Sequence, residues 1–212
     1  MTIRVLLVDD HAMMRDGLKA LLEADGISVV GEAGDGRTAL QRAVELKPDV
    51  VVMDISMPDM NGIEAARLLR QKCPATRVVM LSMHSSSEHV FRAIEAGAAG
   101  YLLKESAGAE VEAAVRAVHG GRRYLSNALP PAGFAAASAA ERSSPVDSLS
   151  TRERQVLQLV VEGKSSAEIA KIVFLSPKSV ETYRSRLMKK LGVSDLPALV
   201  KFAILHGITP AD

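Results

Sequence analysis

The most informative stretch of the sequence is Val50-Val51-Val52-Met53-Asp54, four apolar residues followed directly by a carboxylate. Turn-forming residues enclose it, Lys47-Pro48-Asp49 before and Ser56-Met57-Pro58 after. A short apolar run between turns is typical of a buried strand in a parallel sheet. In open α/β folds, the carboxyl edge of such a sheet carries the chemistry. Asp54 is therefore a candidate site residue, and the simpler alternative is that it caps the following helix.

Length and composition limit the kind of protein this chain can be. The 212 residues are enough for one large or two small domains, and 48% of them are hydrophobic. There is no apolar run near the roughly 18 residues of a membrane span, and no basic-then-apolar leader. The single cysteine, Cys73, excludes an internal disulfide and a cysteine metal cluster. We therefore expect a soluble, cytoplasmic protein without a membrane partner.

Charge is distributed unevenly along the chain. Residues 1–118 carry 13 basic and 17 acidic side chains, a net charge of −4, whereas residues 148–212 carry 10 and 6, a net charge of +4. This asymmetry suggests an acidic regulatory half and a basic half that binds a polyanion. Solvated charged faces alone are the alternative explanation.

Strand and helix patterns alternate five times within residues 1–118. The predicted strands are Val5–Val8, Ile27–Ala33, the stretch ending at Asp54, Val78–Leu81 and Tyr101–Leu103. Helical apolar spacing follows each of them. The alternation predicts a doubly wound, five-stranded parallel sheet with helices on both faces. Because crossovers are right-handed, all carboxyl ends of the strands should lie at one edge.

Five polar side chains occur where these strands end: Asp9, Asp10, Asp54, Ser82 and Lys104. Clustered carboxylates repel one another unless a cation lies among them, and oxygen ligands suit Mg²⁺. The hydroxyl and the ammonium could donate to a phosphoryl group. Taken singly, each residue could be a helix cap, a turn residue or a solvated charge, but together they predict a phosphoryl site.

This pattern resembles the receiver domain of two-component response regulators, over about residues 1–118. The matching residues are Asp9, Asp10, Asp54, Pro58, Gly62, Ser82, Tyr101 and Lys104. The resemblance implies a flavodoxin-like fold in which Asp54 accepts a phosphoryl group from a phosphohistidine of a partner kinase or from a small phosphodonor. Asp10 and Asp54 would hold Mg²⁺, with the carbonyl of Ser56 as a further ligand and Asp9 binding directly or through water.

The resemblance also assigns the switch residues. Lys104 would pair with the phosphoryl oxygens, Ser82 would move in to bond one of them, and Tyr101 would rotate inward as Ser82 shifts. The sequence departs from the common pattern twice, because Ser82 stands where threonine is commoner and Glu105 stands where many receivers have proline. Neither departure removes a group that phosphorylation requires.

Residues 119–147 have the composition of a linker. They contain Gly120-Gly121-Arg122-Arg123, Pro130-Pro131, an alanine-rich stretch and Ser143-Ser144-Pro145. Such a composition favours a mobile connection between two domains.

Residues 148–212 predict a small domain of four helices. Ser150 and Glu153 form a capping box that opens the first helix, and Ser165-Ser166 open the second. Ser176-Pro177 begins the third, and Ser194 or Asp195 begins the fourth. The third helix is polar and cationic on its outer face, which fits a helix-turn-helix. Periodicity alone fits a small helical protein-binding bundle equally well.

Local motifs decide between these two interpretations. Leu149–Glu153, Glu168-Ile169-Ala170, Leu175–Val180 and Lys190–Val193 closely resemble the LuxR-type DNA-binding domain. The resemblance implies a helix-turn-helix near residues 166–185 that binds DNA as a dimer, commonly through the last helix. The candidate DNA contacts are Lys178, Ser179, Glu181, Thr182, Arg184, Ser185, Arg186 and Lys189.

A receiver followed by a LuxR-type domain is the organisation of NarL/FixJ-family response regulators. The sequence therefore predicts a bacterial transcription regulator that a cognate sensor histidine kinase phosphorylates and that binds promoter DNA as a homodimer. It would be no enzyme beyond assisting its own phosphotransfer and dephosphorylation. The first alternative is a Mg²⁺-dependent phosphatase, but Ile55-Ser56 supplies no second acid beside Asp54. The second is an interaction module that dimerises without phosphorylation.

Overall fold

The computed structural model describes residues 2–129, 145–206 and 208. The chain divides into two compact units, Met1–Ala140 and Glu141–Asp212. The alanine-rich part of the predicted linker lies outside the described residues. Within the described ranges, no helix is long and apolar enough to cross a membrane.

The first unit is built around a parallel sheet in the order β2-β1-β3-β4-β5-β6. The strands are β1 (Arg4–Val8), β2 (Ser28–Ala33), β3 (Val50–Asp54), β4 (Arg77–Ser82), β5 (Gly100–Leu103) and β6 (Tyr124–Leu125). The predicted parallel α/β fold is confirmed, but the predicted number of five strands was wrong. The sixth strand lies in the stretch that the sequence assigned to the linker, and it pairs in parallel with β5.

Five helices cover the two faces of this sheet. They are α1 (Ala12–Ala24), α2 (Gly36–Leu46), α3 (Gly62–Lys72), α4 (Ser87–Glu95) and α5 (Ala107–His119). Because side chains alternate along a strand, β3 contributes Val51 and Met53 to one buried cluster, and Val50 and Val52 to the other. Helices α2, α3 and α4 pack into the first cluster, and α1 and α5 into the second. Both faces of β3 are therefore buried, and this fixes Asp54 at its end.

In its described residues, the second unit contains four helices. They are α6 (Thr151–Val161), α7 (Ser166–Val173), α8 (Pro177–Leu191) and α9 (Leu196–Leu205), and a short 3₁₀ turn at Pro145–Ser148 precedes them. Capping boxes open α6 and α7, formed by Ser150 with Glu153 and by Ser165 with Glu168. These helices surround one apolar core. The predicted all-helical second domain is confirmed.

The turn between α7 and α8 depends on one residue with left-handed backbone geometry. Phe174 has φ of 54° and ends α7, and its side chain is 86% exposed. Ser176 then caps α8 through the amide of Ser179, and Pro177 occupies the first turn of the helix. The short helix α7 and the longer helix α8, joined by this turn, produce the helix-turn-helix geometry.

Candidate functional site

The carboxyl ends of β1 and β3 hold a buried acidic pocket. These strands are neighbours in the middle of the sheet, so Asp9 and Asp54 lie side by side, each only 1% exposed. Lys104, just after β5, places its Nζ 2.8 Å from Asp54 Oδ2 and 2.8 Å from Asp9 Oδ2. The backbone amide of Ser56 donates to Asp54 Oδ1 at 3.1 Å. The pocket therefore gathers two buried carboxylates around one ammonium.

Burial controls the ionisation of Asp54. It raises the pKa of this carboxyl to about 6, although the hydrogen bond from Lys104 acts in the opposite direction. Burial lowers the pKa of the Lys104 ammonium, but hydrogen bonds to Asp54 and Asp9 outweigh this effect and leave the pKa raised. At neutral pH the site thus contains an ionised, poorly solvated carboxylate, whose negative charge a cation or an electrophile can compensate.

The pocket has the donor set of a divalent cation site. Asp9, Asp10, His11 and Asp54 each offer a ligand atom, and these atoms lie within 4.8 Å of one another. Asp10 lies at the exposed rim, and the Nδ1 atom of His11 is 2.8 Å from Asp10 Oδ1 and 3.1 Å from Asp9 Oδ1. Three carboxylates, two from the loop after β1 and one from the end of β3, suit a hard cation such as Mg²⁺. Sequence reasoning missed His11, although its position directly after Asp9-Asp10 was a signal.

Gly62 shapes the backbone around Asp54. A Cβ atom at this position would lie 2.1 Å from the carbonyl oxygen of Asp54. Its amide donates to the carbonyl of Ile55 at 2.9 Å, and the side chain of Asn61 caps α3 through the amide of Glu64. Only glycine allows the start of α3 to approach the end of β3 this closely.

Two of the predicted switch residues, Ser82 at the end of β4 and Tyr101 within β5, both bond the backbone of His84. Ser82 is 1% exposed, and its Oγ accepts a hydrogen bond from the amide of His84 at 3.0 Å. Tyr101 is completely buried, and its hydroxyl donates to the carbonyl of His84 at 2.7 Å. Burial also raises the pKa of Tyr101 to about 12. The ring is thus already inside the protein in this structure.

The outer face of α8 presents most of the candidate DNA contacts to solvent. Six of the eight are exposed: Lys178, Glu181, Thr182, Ser185, Arg186 and Lys189. The other two, Ser179 and Arg184, are half-buried. The opposite face of the helix packs into the core through Val180 and Leu187. An exposed, mainly cationic helix on a two-helix support has the geometry of a recognition helix.

Three of these eight side chains also bond within the protein. The hydroxyl of Ser179 pairs with Ser176 Oγ at 2.9 Å as part of the cap. The Thr182 hydroxyl donates to the carbonyl of Lys178 at 3.0 Å. The carboxylate of Glu181 accepts a hydrogen bond from Ser166 and so joins α8 to the start of α7. The sequence did not reveal that Glu181 supports the packing of these two helices.

The fold and the two sites define a class of protein, in which a receiver unit is joined to a helix-turn-helix unit. Family models agree with this description. A "Response regulator receiver domain" matches residues 5–116, and "Bacterial regulatory proteins, luxR family" matches residues 147–203.

Relatives of known function extend over nearly the whole chain. The transcriptional regulatory protein MctR of Rhizobium johnstonii is 42% identical over 207 residues, which is 97% of this chain and 95% of MctR. Response regulator UvrY of Escherichia coli is 38% identical over 212 residues, 99% of this chain and 97% of UvrY.

A solved structure of the response regulator RcsB from Salmonella typhimurium has a TM-score of 0.59. It is 26% identical and the alignment covers 95% of this chain and 98% of RcsB. Another RcsB structure, with two dimers bound to two parallel DNAs, has a TM-score of 0.58 at 26% identity.

The chain belongs to the NarL/FixJ family of two-component response regulators. It is a DNA-binding transcription regulator switched by phosphorylation, as the sequence predicted, and not a classical enzyme.

Proposed function

We propose that Asp54 accepts the phosphoryl group from a phosphohistidine of a cognate sensor histidine kinase. A carboxylate oxygen of Asp54 attacks the phosphorus, and the bond from phosphorus to the imidazole nitrogen of the kinase breaks. The products are an acyl phosphate on Asp54 and a free histidine. The observation that carries this proposal is the buried Asp54 carboxylate with the Lys104 ammonium 2.8 Å away. This ammonium can transfer its interaction to the arriving phosphoryl oxygens.

We assign the divalent cation to the carboxylates of Asp10 and Asp54 and the carbonyl of Ser56, with Asp9 binding directly or through water. Asp9, Asp10 and Asp54 are among the four residues whose ligand atoms lie within 4.8 Å of one another, which supports the carboxylate part of this assignment. Held by these residues, Mg²⁺ would supply positive charge that offsets the negative charge of the phosphoryl oxygens. The side chains themselves orient the nucleophile, because the amide of Ser56 fixes Asp54 Oδ1 and Lys104 fixes Oδ2.

Ser82 and Tyr101 carry the switch in this proposal. Ser82 bonds a phosphoryl oxygen, and this bond stabilises one of two conformations of the surrounding loop. A change from 1:99 to 99:1 between two conformations requires about 5.5 kcal/mol of differential stabilisation. New charge-assisted bonds from Lys104 and Ser82, together with dimer contacts, supply energies of this size.

The recognition helix α8 binds promoter DNA. Lys178 and Lys189 neutralise phosphates, and Arg184 or Arg186 does so at the edges of the helix. Thr182 and Ser185, central on the exposed face, contact base edges. The hydrogen bond between Ser166 and Glu181 leaves Glu181 a second oxygen for a cytosine amine.

The active form is a homodimer that pairs through α9. Leu196 and Leu205 on this helix are 40% and 64% exposed, which leaves an apolar surface available for a second copy. RcsB, to which this chain is similar, binds DNA as dimers, and this supports a dimer as the active form. We place the receiver in residues 1–118, the linker in 119–147 and the DNA-binding domain in 148–212, with the addition that β6, from the first part of the linker range, completes the receiver sheet. We place the protein in the cytoplasm.

Intact mass spectrometry after incubation with a small phosphodonor and Mg²⁺ tests the phosphoacceptor. We expect one phosphoryl adduct in the wild type and in Asp16→Asn, an exposed matched control, and none in Asp54→Asn. An adduct in all three proteins would show that another residue accepts the phosphoryl group.

Fluorescence anisotropy with promoter DNA should then give tighter binding for the modified protein, and equal affinity would contradict the switch.

A further inference from the structure

We propose that Glu110 is a positioning residue that holds residues 124–129, here called the tether segment, against the switch strand β5, and that phosphorylation releases this segment. The release step rests on the phosphoacceptor role proposed above for Asp54. The tether segment comes just before the part of the sequence that leads to the DNA-binding unit.

Backbone hydrogen bonds attach the tether segment to β5. Tyr124 is paired with Gly100, and Leu125 is paired with Tyr101. The amide of Tyr124 donates to the carbonyl of Ala99 at 3.1 Å, and the amide of Ser126 donates to the carbonyl of Tyr101 at 2.8 Å. The last of these bonds joins the segment to the residue whose side chain belongs to the switch.

The Glu110 carboxylate on α5 fixes the same segment from the side. It accepts hydrogen bonds from the Tyr124 hydroxyl at 3.2 Å, the Ser126 hydroxyl at 3.1 Å and the Asn127 amide at 3.3 Å. Ser126 is completely buried. An ionised carboxylate carries only acceptors, so it satisfies three donors that converge from one side. Replacing it with an amide would place an NH₂ group or a single oxygen opposite these donors.

Three hydrogen bonds that share His84 and Tyr101 link Ser82, at the phosphoryl site, to the tether segment. The amide of His84 donates to Ser82 Oγ at 3.0 Å, and the Tyr101 hydroxyl donates to the carbonyl of His84 at 2.7 Å. The carbonyl of Tyr101 then accepts from Ser126. Leu129, which is 5% exposed, shares a buried cluster with Tyr101.

In this proposal, phosphorylation breaks the first of these hydrogen bonds, between the His84 amide and Ser82. When the Ser82 hydroxyl turns to a phosphoryl oxygen, His84 loses the acceptor of its amide, and Tyr101 loses the fixed position of its own acceptor. The Tyr101 ring then moves within the space that it shares with Leu129. Loss of this packing favours detachment of the tether segment from β5. The last part of the chain that is attached to the receiver is then α5.

Hydrogen-exchange mass spectrometry on the full chain tests this inference, with intact mass measured on the same samples. In the wild type, we expect phosphorylation by a small phosphodonor with Mg²⁺ to speed amide exchange in residues 124–127 by about threefold or more. In Glu110→Gln, exchange there should be about tenfold faster before phosphorylation, because charge-assisted hydrogen bonds are lost. Phosphorylation should then add little further change, while the rate at which the adduct forms stays that of the wild type.

Glu112→Gln is the matched control, since Glu112 lies on the same helix and its carboxylate bonds Arg116 at 2.6 Å instead of the tether segment. It should behave as the wild type. An adduct on Asp54 with unchanged or slower exchange in residues 124–127 would refute the release step alone. Unchanged exchange in Glu110→Gln would refute the positioning role. Absence of the adduct would refute the phosphoacceptor role, and the release step with it.

Discussion

Replacing Asp54 with asparagine should stabilise the receiver unit in the absence of divalent cations. Asp54 is 1% exposed, and burial raises its pKa from an ordinary 3.8 to about 6 despite Lys104 at 2.8 Å. Each pKa unit corresponds to about 1.4 kcal/mol between the two protonation states. Asparagine resembles the protonated carboxyl in shape and charge, so we expect a gain of about 3 kcal/mol at pH 7.

The pH dependence of this gain follows from the direction of the shift. Between pH values of about 4 and 6, the folded protein retains a proton that the unfolded chain has already released. Wild-type stability therefore falls as pH rises through this window and is level above it. The asparagine variant lacks this decrease, so its advantage should vanish near pH 4 and be complete at pH 7.

Urea titrations are carried out in EDTA and monitored by hydrogen exchange in peptides from β1 and β3. Because these peptides lie in the receiver, the titrations report the stability of this unit alone. The control Asp16→Asn, an exposed position on α1, should change stability by less than about 0.5 kcal/mol. Mg²⁺ should then stabilise the wild type more than the variant, because the variant lacks one ligand charge. Equal or lower stability of the variant at pH 7 would mean that attraction to Lys104 outweighs burial, and would refute the reasoning.

Three further predictions concern other parts of the chain. Gly62→Ala should destabilise the receiver by about 3 kcal/mol, because the added Cβ would strike the backbone of Asp54. The control Gly17→Ala on α1, which has open space around it, should stabilise the receiver by about 0.5–1 kcal/mol. Urea unfolding measures both changes. Glu153→Gln should cost the second unit about 2 kcal/mol at neutral pH, since Lys190 lies 2.7 Å away. Burial raises the pKa of Glu153, but the hydrogen bond from Lys190 outweighs burial and leaves this pKa lowered. The stabilisation from the pair is therefore lost as pH falls through the pKa of Glu153. In acid, urea titrations should find equal stabilities for the wild type and Glu153→Gln. Lys178→Gln should reduce the slope of log affinity against log salt by about 0.9 in DNA-binding titrations, and an unchanged slope would exclude a phosphate contact.

Much of the receiver could be predicted because its signals are local. The apolar runs that end at Val8 and Asp54 indicate buried parallel strands, and right-handed crossovers place both ends at one edge. The structure accordingly brings Asp9, Asp54 and Lys104 into contact. The capping box of Ser150 and Glu153 is another local signal, and the structure contains it.

The sixth strand could not be predicted, because no local pattern encodes it. Tyr124–Leu125 is only two residues long and follows a glycine- and arginine-rich turn. Its stability comes from the backbone of β5 and from Glu110, which is distant along the chain. For the same reason, the sequence could not reveal that Ser166 bonds Glu181 or that Tyr101 already lies inside the protein.

The sequence by itself determined the order of the first five strands and of the helices around them, the two-unit organisation and the residue types at the strand ends. These depend on periodicity, capping and chain direction, all of which act between near neighbours. The tertiary structure alone decided the ionisation of Asp54, the contact of Gly62 with its backbone and the attachment of the tether segment. These depend on burial and on hydrogen bonds between residues far apart in the chain, which exist only after the core has excluded water.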